Sequence, residues 1–433
     1  MKIVYLGAGA AGRYCGACLH DNTLAAALLK KGHDVILVPM YTPLRTDEEY
    51  VGQSRVFFGG VNVFLQQKSA LFRHTPWFLD KILDSPSLLQ WLSGRASGME
   101  ASQLGNLTVS TLKGELGNQR KELEKLVQWL AEDVRPEIVH LSNSMLCGAA
   151  REIKRRLGVP VVCSLMGEDI FLEQLTEPYY SQTRELLRER AADVDRFVAM
   201  NEYFANFMAD YLSVERKKVE VIRHGLNLEG YGSRNALVEG RPFTIGYFAR
   251  IAAEKGLHLL VEAFGILAQD ASLPPFELKV AGYRSSADLP YYDRIEQRIR
   301  ELGLAGKFTF AGELDRAGKI AFLQSLDVMS LPTVYQESKG LSALEAMANA
   351  VPVVLPAHGT FPELVSDTHG GILHEPEKPV ALAAALKELI LDPDRATNLG
   401  HAGQAAIQAR YRADVMAQAT IELYERVLGR TAT

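Results

Sequence analysis

The chain contains 433 residues, a length typical of two or three domains. Its 47 Lys and Arg residues against 52 Asp and Glu residues give a formal net charge of −5, which argues against a nucleic-acid-binding surface as its main feature. Hydrophobic residues make up 47% and charged residues 23%, as in an ordinary globular protein, so the composition does not indicate a disordered chain.

The sequence lacks the usual marks of a membrane-spanning or secreted protein. No stretch approaches the ~20 uninterrupted apolar residues of a membrane-spanning helix, and residues 1–7 predict a first strand instead of a signal peptide. Four cysteines do not make a disulfide framework. The lone C-x-x-C of Cys15 and Cys18 lacks the about four ligands of a structural zinc site. We therefore expect a cytoplasmic protein with reduced thiols.

Short apolar runs alternate with helical patterns almost from end to end, which predicts parallel sheets covered by helices. In the first half the predicted strands are 3–6, 34–40, 137–141, 160–165 and 196–200. In the second half they are 243–248, 276–281, 307–310, 327–331 and 352–355. The helix between the first two strands is expected to begin near His20 and to end before Gly32, a typical helix stop.

The two series of strands predict an α/β protein with two doubly wound domains. The boundary is expected within residues 223–242, where Gly, Asn and charged residues interrupt both periodicities. A barrel of eight β/α units is the alternative, which the uneven spacing and this interruption disfavour. Residues 53–100 depart from the alternation and predict a strand pair plus helices inserted into the first domain. A peripheral membrane contact through a surface helix is the alternative for this insertion, but its charges do not build a clean basic face.

A glycine-rich segment follows the first predicted strand. Residues Gly7 to Gly12 match G-x-G-x-x-G, which taken alone predicts a dinucleotide site. Such a site needs an acidic residue at the end of the second strand, but no Asp or Glu follows that strand until Asp47. The helix, expected near His20, also begins too far beyond Gly12. We therefore favour a flexible loop that lets a ligand approach closely over an NAD site.

The second half of the chain carries two cations where a sheet of this type binds ligands. Arg250 and Lys255 follow the strand predicted at 243–248 and precede an amphipathic helix. In open α/β sheets ligands bind at the carboxyl ends of the strands, and a helix N-terminus adds positive potential there. Two cations in that place are suited to a diphosphate, although for either one taken alone a solvated loop is the better interpretation.

Two glutamates, Glu337 and Glu345, bracket seven residues after the strand predicted at 327–331. Gly340 is expected to open a helix between them, so that the amides near Gly340 and Leu341 point at the same anion. Glu337 would lie on the loop, and Glu345 one to two turns into the helix, where a carboxylate can chelate a ribose diol. The alternative for Glu345 is a structural role at the start of its helix.

Taken together, these motifs resemble the retaining glycosyltransferases of family 4, the glycogen and sucrose synthase-like enzymes. The likeness covers nearly the whole chain and is most specific in the second half. It rests on these motifs, in order: Gly32-His33-Asp34-Val35, Pro136-Glu137-Ile138-Val139-His140, Val221-Ile222-Arg223-His224-Gly225-Leu226-Asn227, Arg250-x4-Lys255-Gly256, Glu337-x7-Glu345, Pro352-Val353-Val354 and Gly359-Thr360-Phe361-Pro362-Glu363-Leu364-Val365. The resemblance implies the GT-B fold, in which two Rossmann-like domains face a central cleft.

The resemblance also implies a division of labour along the chain. Residues 1–225 would form the acceptor-binding domain, to which a C-terminal helix at 412–433 crosses back, and residues 226–411 would bind the nucleotide-sugar donor. The enzyme would move a sugar from that donor, a UDP-sugar by default, to an unidentified carbohydrate, lipid or small-molecule hydroxyl with retention of anomeric configuration. No cofactor is expected. The alternatives are a nucleotide-sugar epimerase on the same fold and a non-catalytic nucleotide-sugar-binding relative.

Roles for single donor-side residues follow from the same resemblance. Arg250 and Lys255 would bind the donor diphosphate and stabilise charge on the departing nucleotide. Glu337 would contact the donor sugar near the reacting centre, and Glu345 would hold the ribose hydroxyls. In the family the amides after Glu337, here of Gly340 and Leu341, touch sugar or phosphate, and a glycine pair near the N-terminus meets the diphosphate. That position reads Cys15-Gly16 here, so Gly16 alone is kept.

The chain departs from the family on the acceptor side. Members often have His-x-His after the third strand, whereas this chain reads His140-Leu141-Ser142-Asn143. A further histidine often follows the next strand, whereas this chain reads Met166-Gly167-Glu168-Asp169. Asn143, Glu168 or Asp169 could supply polar contacts to an acceptor, and each is equally compatible with a cap or a loop residue.

Metal-dependent transferases use an Asp-x-Asp pair, and this sequence contains two of them. Asp193 and Asp195 precede the strand predicted at 196–200, at its amino end, and Asp392 and Asp394 lie in a turn between helices. Neither pair is placed to meet a diphosphate. We therefore expect no metal ion and predict activity in the presence of a chelator.

Overall fold

The computed structural model describes residues 1–9, 15–42, 44–53, 101–232 and 240–430. The chain forms two compact units, of which the first comprises Met1–Gly225 together with Ala413–Thr433 and the second comprises Leu226–Arg412. The insertion predicted at 53–100 lies, apart from Gln53, outside the described residues, as does Gly12 of the glycine-rich segment.

The first unit is built on six parallel strands in the order β2-β1-β3-β4-β5-β6. They are β1 (Lys2–Gly7), β2 (Asp34–Pro39), β3 (Ile138–Leu141), β4 (Val161–Ser164), β5 (Arg196–Ala199) and β6 (Val219–Val221). The register places Ile3 beside both Val35 and Ile138, so β1 runs between β2 and β3. Most strand residues are buried because helices cover both faces of such a sheet.

The second unit repeats this arrangement with six parallel strands in the order β12-β11-β10-β7-β8-β9. They are β7 (Phe243–Phe248), β8 (Phe276–Ala281), β9 (Phe308–Phe310), β10 (Val328–Ser330), β11 (Val353–Pro356) and β12 (Gly371–His374). Ile245 in β7 is fully buried and lies beside Val328 in β10.

Helices connect the strands in both units. Those in the described ranges are α1 (Gly16–Lys30), α2 (Ala101–Leu112), α3 (Arg120–Trp129), α4 (Ala150–Leu157), α5 (Asp169–Leu172), α6 (Tyr179–Ala191), α7 (Glu202–Leu212), α8 (Leu257–Ala268), α9 (Leu289–Glu301), α10 (Arg316–Gln324), α11 (Leu341–Ala348), α12 (Phe361–Thr368), α13 (Pro379–Leu391), α14 (Pro393–Arg410) and α15 (Ala413–Val427). None of these helices has both the length and the apolar character that a membrane crossing requires.

The last helix of the chain belongs to the core of the first unit. Leu24 and Leu28 of α1 lie in the same buried cluster as Met416, Ile421 and Tyr424 of α15. This cluster covers one face of the first sheet, and a second cluster, which includes residues of α3, α4 and α7, covers the other. Residues 413–427 therefore complete a core that the first 225 residues leave open on one side.

Each sheet has a topological switch point, where successive connections leave in opposite directions. In the first sheet the chain passes from β1 to β2 on one side and runs from β3 to β6 on the other. In the second it runs from β7 to β9 on one side and from β10 to β12 on the other. Ligands of open α/β sheets bind outside the carboxyl ends of the two strands at such a point, which draws attention to the loops after β1, β3, β7 and β10.

The expected fold class is confirmed: both sheets are parallel and doubly wound, and neither closes into the alternative barrel. All ten predicted strands are present within one or two residues, but β6 and β12 were not predicted. The start of α1 near His20 was wrong, because the helix begins at Gly16 after an extended Cys15. The two unpredicted strands are both edge strands, and β6 has only three residues.

Candidate active site

The loops after β7 and β10 meet at the switch point of the second sheet. The loop after β7 carries Arg250 and Lys255 into α8, and the loop after β10 carries Glu337 to the start of α11. A backbone hydrogen bond of 2.9 Å from the Val334 amide to the Glu254 carbonyl joins the two loops. Glu254 and Val334, which are 80 positions apart in the sequence, are thus direct neighbours in the fold.

The loop after β7 is held by a buried tyrosine and by a close backbone contact. The Tyr247 side chain is fully buried, and its hydroxyl lies 3.3 Å from the Arg250 carbonyl oxygen and 3.4 Å from that of Lys255. Gly256 ends the loop with φ +75°, and a Cβ there would lie 1.7 Å from the Pro332 carbonyl oxygen. Only glycine fits this position without displacing the backbone after β10.

Lys255, Tyr335 and Glu337 form a hydrogen-bonded triangle, which we call the central cluster. The Lys255 Nζ donates to Glu337 Oε2 at 2.9 Å and to the Tyr335 hydroxyl, and that hydroxyl donates to the same carboxylate oxygen. The ammonium also lies 4.7 Å from the centre of the Tyr335 ring. A lysine ammonium has three N–H groups, so these two contacts leave one donor for a further acceptor.

The central cluster keeps Glu337 ionised although the carboxylate is buried. Its side chain is 6% exposed. Burial alone would raise the pKa of Glu337, but the charge of Lys255 and hydrogen bonds from Tyr335 and Lys255 outweigh it and lower the pKa to about 2. Burial, followed by the nearby Glu337 charge, raises the pKa of Tyr335 well above its usual value, so the hydroxyl remains protonated. Glu337 is therefore a carboxylate throughout the physiological pH range.

Arg250 is the more exposed cation of the site. Its side chain is 45% exposed, and its guanidinium pairs with the carboxylate of Glu254, four residues further along the same loop. A surface pair of this kind contributes little to stability. An incoming anion could therefore replace the Glu254 carboxylate at little cost.

The start of α11 offers backbone donors beside the central cluster. Gly340 precedes the helix in the left-handed region at φ +67°, and Leu341 is the first helical residue, as predicted. Because the first amides of a helix have no intrahelical acceptor, those of Leu341 and Ser342 are available to an anion, whereas the Ala343 amide already donates to the Gly340 carbonyl oxygen at 3.0 Å. The Glu337 loop is itself tied down, since the Thr360 amide donates to the Glu337 carbonyl oxygen at 2.8 Å.

Glu345 lies one turn into α11 and is 3% exposed. Its Oε1 accepts a hydrogen bond of 2.6 Å from Lys319 Nζ, whose side chain is 5% exposed, and one of 3.2 Å from the Tyr231 hydroxyl. The carboxylate therefore belongs to a buried ion pair. Its partner, Lys319, was not predicted by the sequence analysis.

The switch point of the first sheet brings the loops after β1 and β3 together. The Ala8 amide donates to the Ser142 Oγ at 3.0 Å. Gly16 is the first residue of α1, a 15-residue helix, so it lies at the positive end of that helix dipole. Residues 10–14, which connect β1 to this helix, lie outside the described residues.

Two of the three residues predicted on the acceptor side, Asn143 and Glu168, take part in holding loops, and the third, Asp169, is the first residue of α5. Asn143 caps the 3-10 helix Ser144–Ala149 by accepting from the Met145 amide at 3.1 Å. Glu168 is buried and accepts from both the amide and the hydroxyl of Ser144, at 2.8 and 2.6 Å, and from the Met166 amide at 2.6 Å. Both side chains thus fix the backbone around the carboxyl ends of β3 and β4.

His140, at the place of the family's first histidine, lies in the core. Its ring is 1% exposed, with Nδ1 at 2.5 Å from the Tyr424 hydroxyl and Nε2 at 2.8 Å from the Ser164 Oγ. Burial lowers the pKa of His140 to about 3, so the imidazole is neutral. The residue connects β3 to α15.

Three of the four aspartates in the two Asp-x-Asp pairs make structural contacts. Asp193 pairs with Arg151 at 3.0 Å, and Asp195 pairs with Lys154 at 2.7 Å and accepts from the Val161 amide at the amino end of β4. Asp392 caps α14. Across the described ranges, no group of three or more His, Cys, Asp or Glu side chains is arranged to hold a metal ion. All four cysteines lie in these ranges and are thiols.

Sequence reasoning missed Tyr335 and Lys319. Tyr335 stands in the loop segment between two recognised motifs, and only the folded geometry shows that its hydroxyl contacts both Lys255 and Glu337. Lys319 could have been noticed, because it is a lysine directly beside the apolar Ile320 on a helix whose core face continues with Phe322 and Leu323. Such a position predicts burial, which lysine rarely tolerates without a partner.

Two sequence-family models match consecutive parts of the chain. The model described as Glycosyltransferase Family 4 matches residues 105–229, and the model described as Glycosyl transferases group 1 matches residues 233–406. The first match lies within the first structural unit, except that the last four matched residues, 226–229, belong to the second unit. The second match lies entirely within the second unit.

Curated relatives extend this similarity over most of the chain. The D-inositol 3-phosphate glycosyltransferase of Corynebacterium urealyticum is 29% identical over 220 residues, which cover 48% of this chain and about half (51%) of that protein. The glycogen synthase of Mycobacterium tuberculosis is 24% identical over 411 residues, which cover 94% of this chain and 89% of that protein.

Solved structures share the architecture at low sequence identity. The sucrose-phosphate synthase of Thermosynechococcus elongatus has a TM-score of 0.74 and 18% identity, with 99% of both chains covered. Anabaena HepE, solved in complex with UDP-glucose, has a TM-score of 0.66 and 17% identity, with 98% of this chain and 100% of that chain covered. At these identities the likeness establishes the fold.

Proposed function

Because the chain is a GT-B glycosyltransferase of the family 4 type, we propose that it transfers a sugar from a nucleoside-diphosphate donor to a hydroxyl of an acceptor, with retention of anomeric configuration. The central cluster of Lys255, Tyr335 and Glu337 is the observation that carries this proposal. It combines a partly exposed lysine with an ionised carboxylate at a switch point, the place where open α/β sheets bind ligands.

The donor diphosphate would bind between the two cations and the start of α11. Lys255 has one N–H left for a phosphate oxygen, and Arg250 would exchange the Glu254 carboxylate for another. The amides after Gly340 would add neutral donors. As the bond to the sugar breaks, negative charge grows on the leaving diphosphate, and fixed donors stabilise that state more than the ground state.

The two glutamates would contact the sugars at either end of the diphosphate. Glu337 would accept hydrogen bonds from hydroxyls of the donor sugar, a role suited to a group that the central cluster keeps ionised. Glu345 would accept from the ribose hydroxyls, three to four residues into the helix whose first amides meet the phosphate. Gly16 would approach the diphosphate from the start of α1.

A UDP-sugar is the donor that we propose first. A solved protein of the same fold, Anabaena HepE, is described in complex with UDP-glucose. The acceptor would bind to the first unit, where Asn143 and Glu168 shape the loops after β3 and β4. Their internal hydrogen bonds favour an indirect role for both side chains, in which they position backbone instead of touching the acceptor.

The proposal also covers cofactors and location. We propose that catalysis needs no metal ion, because two cationic side chains and helix amides can neutralise the leaving group. Within the described ranges Asp193, Asp195 and Asp392 are engaged in structural contacts, which supports this view. The cytoplasm remains the proposed location, and the four thiols are compatible with its reducing conditions.

Nucleotide binding gives the first test of the proposal. UDP, GDP and ADP are compared by thermal shift, because a ligand that binds only the folded state raises the melting temperature. We expect UDP to give the largest shift. Lys255→Ala should abolish it, whereas Lys217→Ala, which changes an 84% exposed lysine of the first unit, should not. A protein that none of the three nucleotides stabilises would overturn the proposal.

Turnover separates the proposed reaction from its alternatives. Incubation with UDP-glucose and a panel of hydroxyl acceptors should give UDP and an α-linked product, whose configuration proton NMR reports. Epimerised nucleotide sugar formed without any acceptor would favour the epimerase, and tight binding without turnover on any acceptor would favour the non-catalytic relative. An inverted product would contradict retention alone.

A further inference from the structure

Lys319 is buried on the apolar side of its helix. It is 4% exposed and lies in α10 next to Ile320 and near Leu323, both of which belong to the core face of that helix. Lysine is almost never found at such depth unless its charge is paired. Its Nζ lies 2.6 Å from Glu345 Oε1, which supplies that pairing.

The two oxygens of the Glu345 carboxylate have different surroundings. Oε1 accepts from both Lys319 and the Tyr231 hydroxyl. In the part of the chain that the structure describes, no residue donates a hydrogen bond to Oε2. The carboxylate is therefore fixed through one oxygen and has acceptor capacity left on the other.

The Lys319 ammonium compensates the burial of the Glu345 carboxylate and fixes its position before a ligand arrives. A carboxylate that is 3% exposed is costly to bury unless it is paired, and Lys319 lies 2.6 Å from its Oε1. Hydrogen bonds that a ligand donates to a carboxylate held in this way are charge-assisted, and they are roughly twice as strong as neutral ones.

Stability alone does not account for this pair. Replacing a buried ion pair by apolar residues of similar volume is often neutral or stabilising, because both charges must be desolvated. A lysine and a glutamate at these depths therefore indicate a use for the charge itself. The position of Glu345 in the first turns of α11, beside the proposed diphosphate site, indicates where that use lies.

We infer that Lys319 is a positioning residue that makes Glu345 selective for ribose, so that the enzyme prefers ribonucleotide donors over deoxyribonucleotide donors. This inference rests on the proposed function, since it assumes that Glu345 faces the nucleotide sugar. Lys319 acts through Glu345 and does not itself touch the nucleotide. A site built to bind hydroxyls in this way rejects an analogue that lacks them, because Oε2 of the buried carboxylate then receives no hydrogen bond from the ligand.

The test compares dissociation constants of UDP, 2′-deoxy-UDP and 3′-deoxy-UDP, measured by calorimetry on the full chain. Wild type should bind UDP at least tenfold more tightly than the weaker-binding deoxy analogue. Lys319→Met should weaken UDP until this preference is about twofold or less, and should leave the affinity for that analogue nearly unchanged. Lys319→Arg, which keeps a cation in place, should keep most of the preference.

A double-mutant cycle shows whether Lys319 acts through Glu345. We expect Glu345→Gln and the double variant Lys319→Met/Glu345→Gln to have the same reduced preference. Because Lys319→Met leaves a lone buried carboxylate and could fail to fold, the double variant, which removes both charges, keeps the comparison possible. Circular dichroism verifies the fold of each variant, and Lys217→Ala is the matched surface control.

The outcomes separate this inference from the proposed function. A Lys319→Met variant that keeps the wild-type preference, or that weakens UDP and both deoxy analogues equally, would mean that Lys319 only supports packing. A double variant with a lower preference than Glu345→Gln would mean that Lys319 contacts the nucleotide directly. Wild type that binds UDP without any ribose preference would overturn the inference and leave the diphosphate site standing, whereas no nucleotide binding at all would overturn the proposed function.

Discussion

At the scale of single residues, the two cations of the site have carboxylate partners in different surroundings. Lys255 and Glu337 neutralise each other inside the central cluster, whereas Arg250 pairs with Glu254 at the surface. The two cations would therefore differ in what the proposed diphosphate has to displace. Lys255 would bind it through its third N–H without losing a contact, whereas Arg250 would have to release the exposed Glu254 carboxylate.

Loss of either cation should affect turnover far more than stability. We expect Lys255→Ala and Arg250→Ala each to lower kcat by at least 10²–10³-fold, about 3–4 kcal/mol, because each removes a donor from the growing charge of the leaving group. Steady-state assays with UDP-glucose measure the change, and circular dichroism verifies the fold. Near-normal turnover in either variant, with Lys217→Ala as the control, would contradict the assigned role.

The Tyr335 hydroxyl should matter although it is not proposed to touch the diphosphate. Tyr335→Phe keeps the ring beside Lys255 but removes a hydrogen bond from each of the two charged groups. Hydrogen bonds to charged groups contribute about 1.5–3 kcal/mol, so kcat/KM should fall roughly 10–100-fold. Tyr179→Phe, on the first unit, is the control and should change nothing. Equal activity of both variants would show that the hydroxyl is dispensable.

Single residues also show which parts of the site could be predicted from the sequence. Arg250, Lys255, Glu337 and Glu345 could be singled out because their spacing placed them after two strands that lie side by side. Tyr335 could not, because its importance comes from contacts that only the folded loops create. Their proposed roles remain predictions, whereas their positions at one switch point are structural facts.

At the scale of elements, the site depends on loops that pack backbone against backbone. Gly256 combines a left-handed φ with a contact that excludes any Cβ, and the amide of Val334 crosses to the Glu254 carbonyl oxygen. The loops after β7 and β10 therefore hold each other in place. A change in the backbone of one loop should therefore displace both Lys255 and Glu337.

Substituting Gly256 tests this mutual support. Gly256→Ala should destabilise the second unit by about 1–3 kcal/mol through strain at positive φ, and by more through the clash with the Pro332 carbonyl oxygen. It should also weaken UDP binding. Gly303→Ala is the matched control, because Gly303 has nearly the same φ, +70°, with nothing within 4 Å of a Cβ. Urea unfolding and calorimetry measure both effects, and equal results for the two variants would exclude a special role for the Gly256 contact.

The elements that sequence reasoning missed share a physical cause. β6 and β12 lie at the edges of their sheets, where a strand has one neighbour and can be short, so each contributes too few apolar residues to form a pattern. The start of α1 was misplaced because Cys15, which precedes the helix, is not one of the residues that usually cap a helix. The interior strands could be predicted although several have only three or four residues, because they lie within mostly apolar runs of the sequence.

At the scale of the whole molecule, the first unit is assembled from both ends of the chain. Met416, Ile421 and Tyr424 of α15 share its core, and the Tyr424 hydroxyl contacts His140 in β3. The sequence predicted a returning helix only through family resemblance, because the apolar residues of α15 do not reveal which surface they cover.

The buried His140 should make the stability of the first unit depend on pH. Its pKa is about 3 in the folded protein against 6.5 for a solvated histidine, so below pH 6.5 the unfolded chain binds a proton that the folded chain does not. The free energy of unfolding should therefore fall by up to about 1.4 kcal/mol per pH unit on acidification between pH 6.5 and pH 3. His140→Gln should lose this contribution.

Tryptophan fluorescence in urea measures this effect, because Trp77, Trp91 and Trp129 all belong to the first 225 residues. The comparison is between the pH slopes of wild type and variant, since other groups contribute to both. Identical slopes would mean that His140 is not responsible.

Chelation should leave the enzyme active. Asp193, Asp195 and Asp392 have structural partners, and no described cluster of side chains is suited to hold a metal ion. We expect turnover of UDP-glucose with excess EDTA to equal that without it, and added Mg²⁺ or Mn²⁺ to have little effect. A strict requirement for a divalent ion would contradict the proposed neutralisation of the leaving group by Arg250 and Lys255.

The return of α15 has a consequence for the nascent chain. Residues Leu226–Arg412 are contiguous, so the second unit can fold as soon as they have left the ribosome. The first unit is synthesised earlier but lacks α15 until residues 413–427 have also been made, a delay on the order of ten seconds or more at typical elongation rates of about 5–20 residues per second. The half of the protein that is made first is therefore the half that finishes folding last, and in the meantime it exposes an apolar groove that chaperones can recognise.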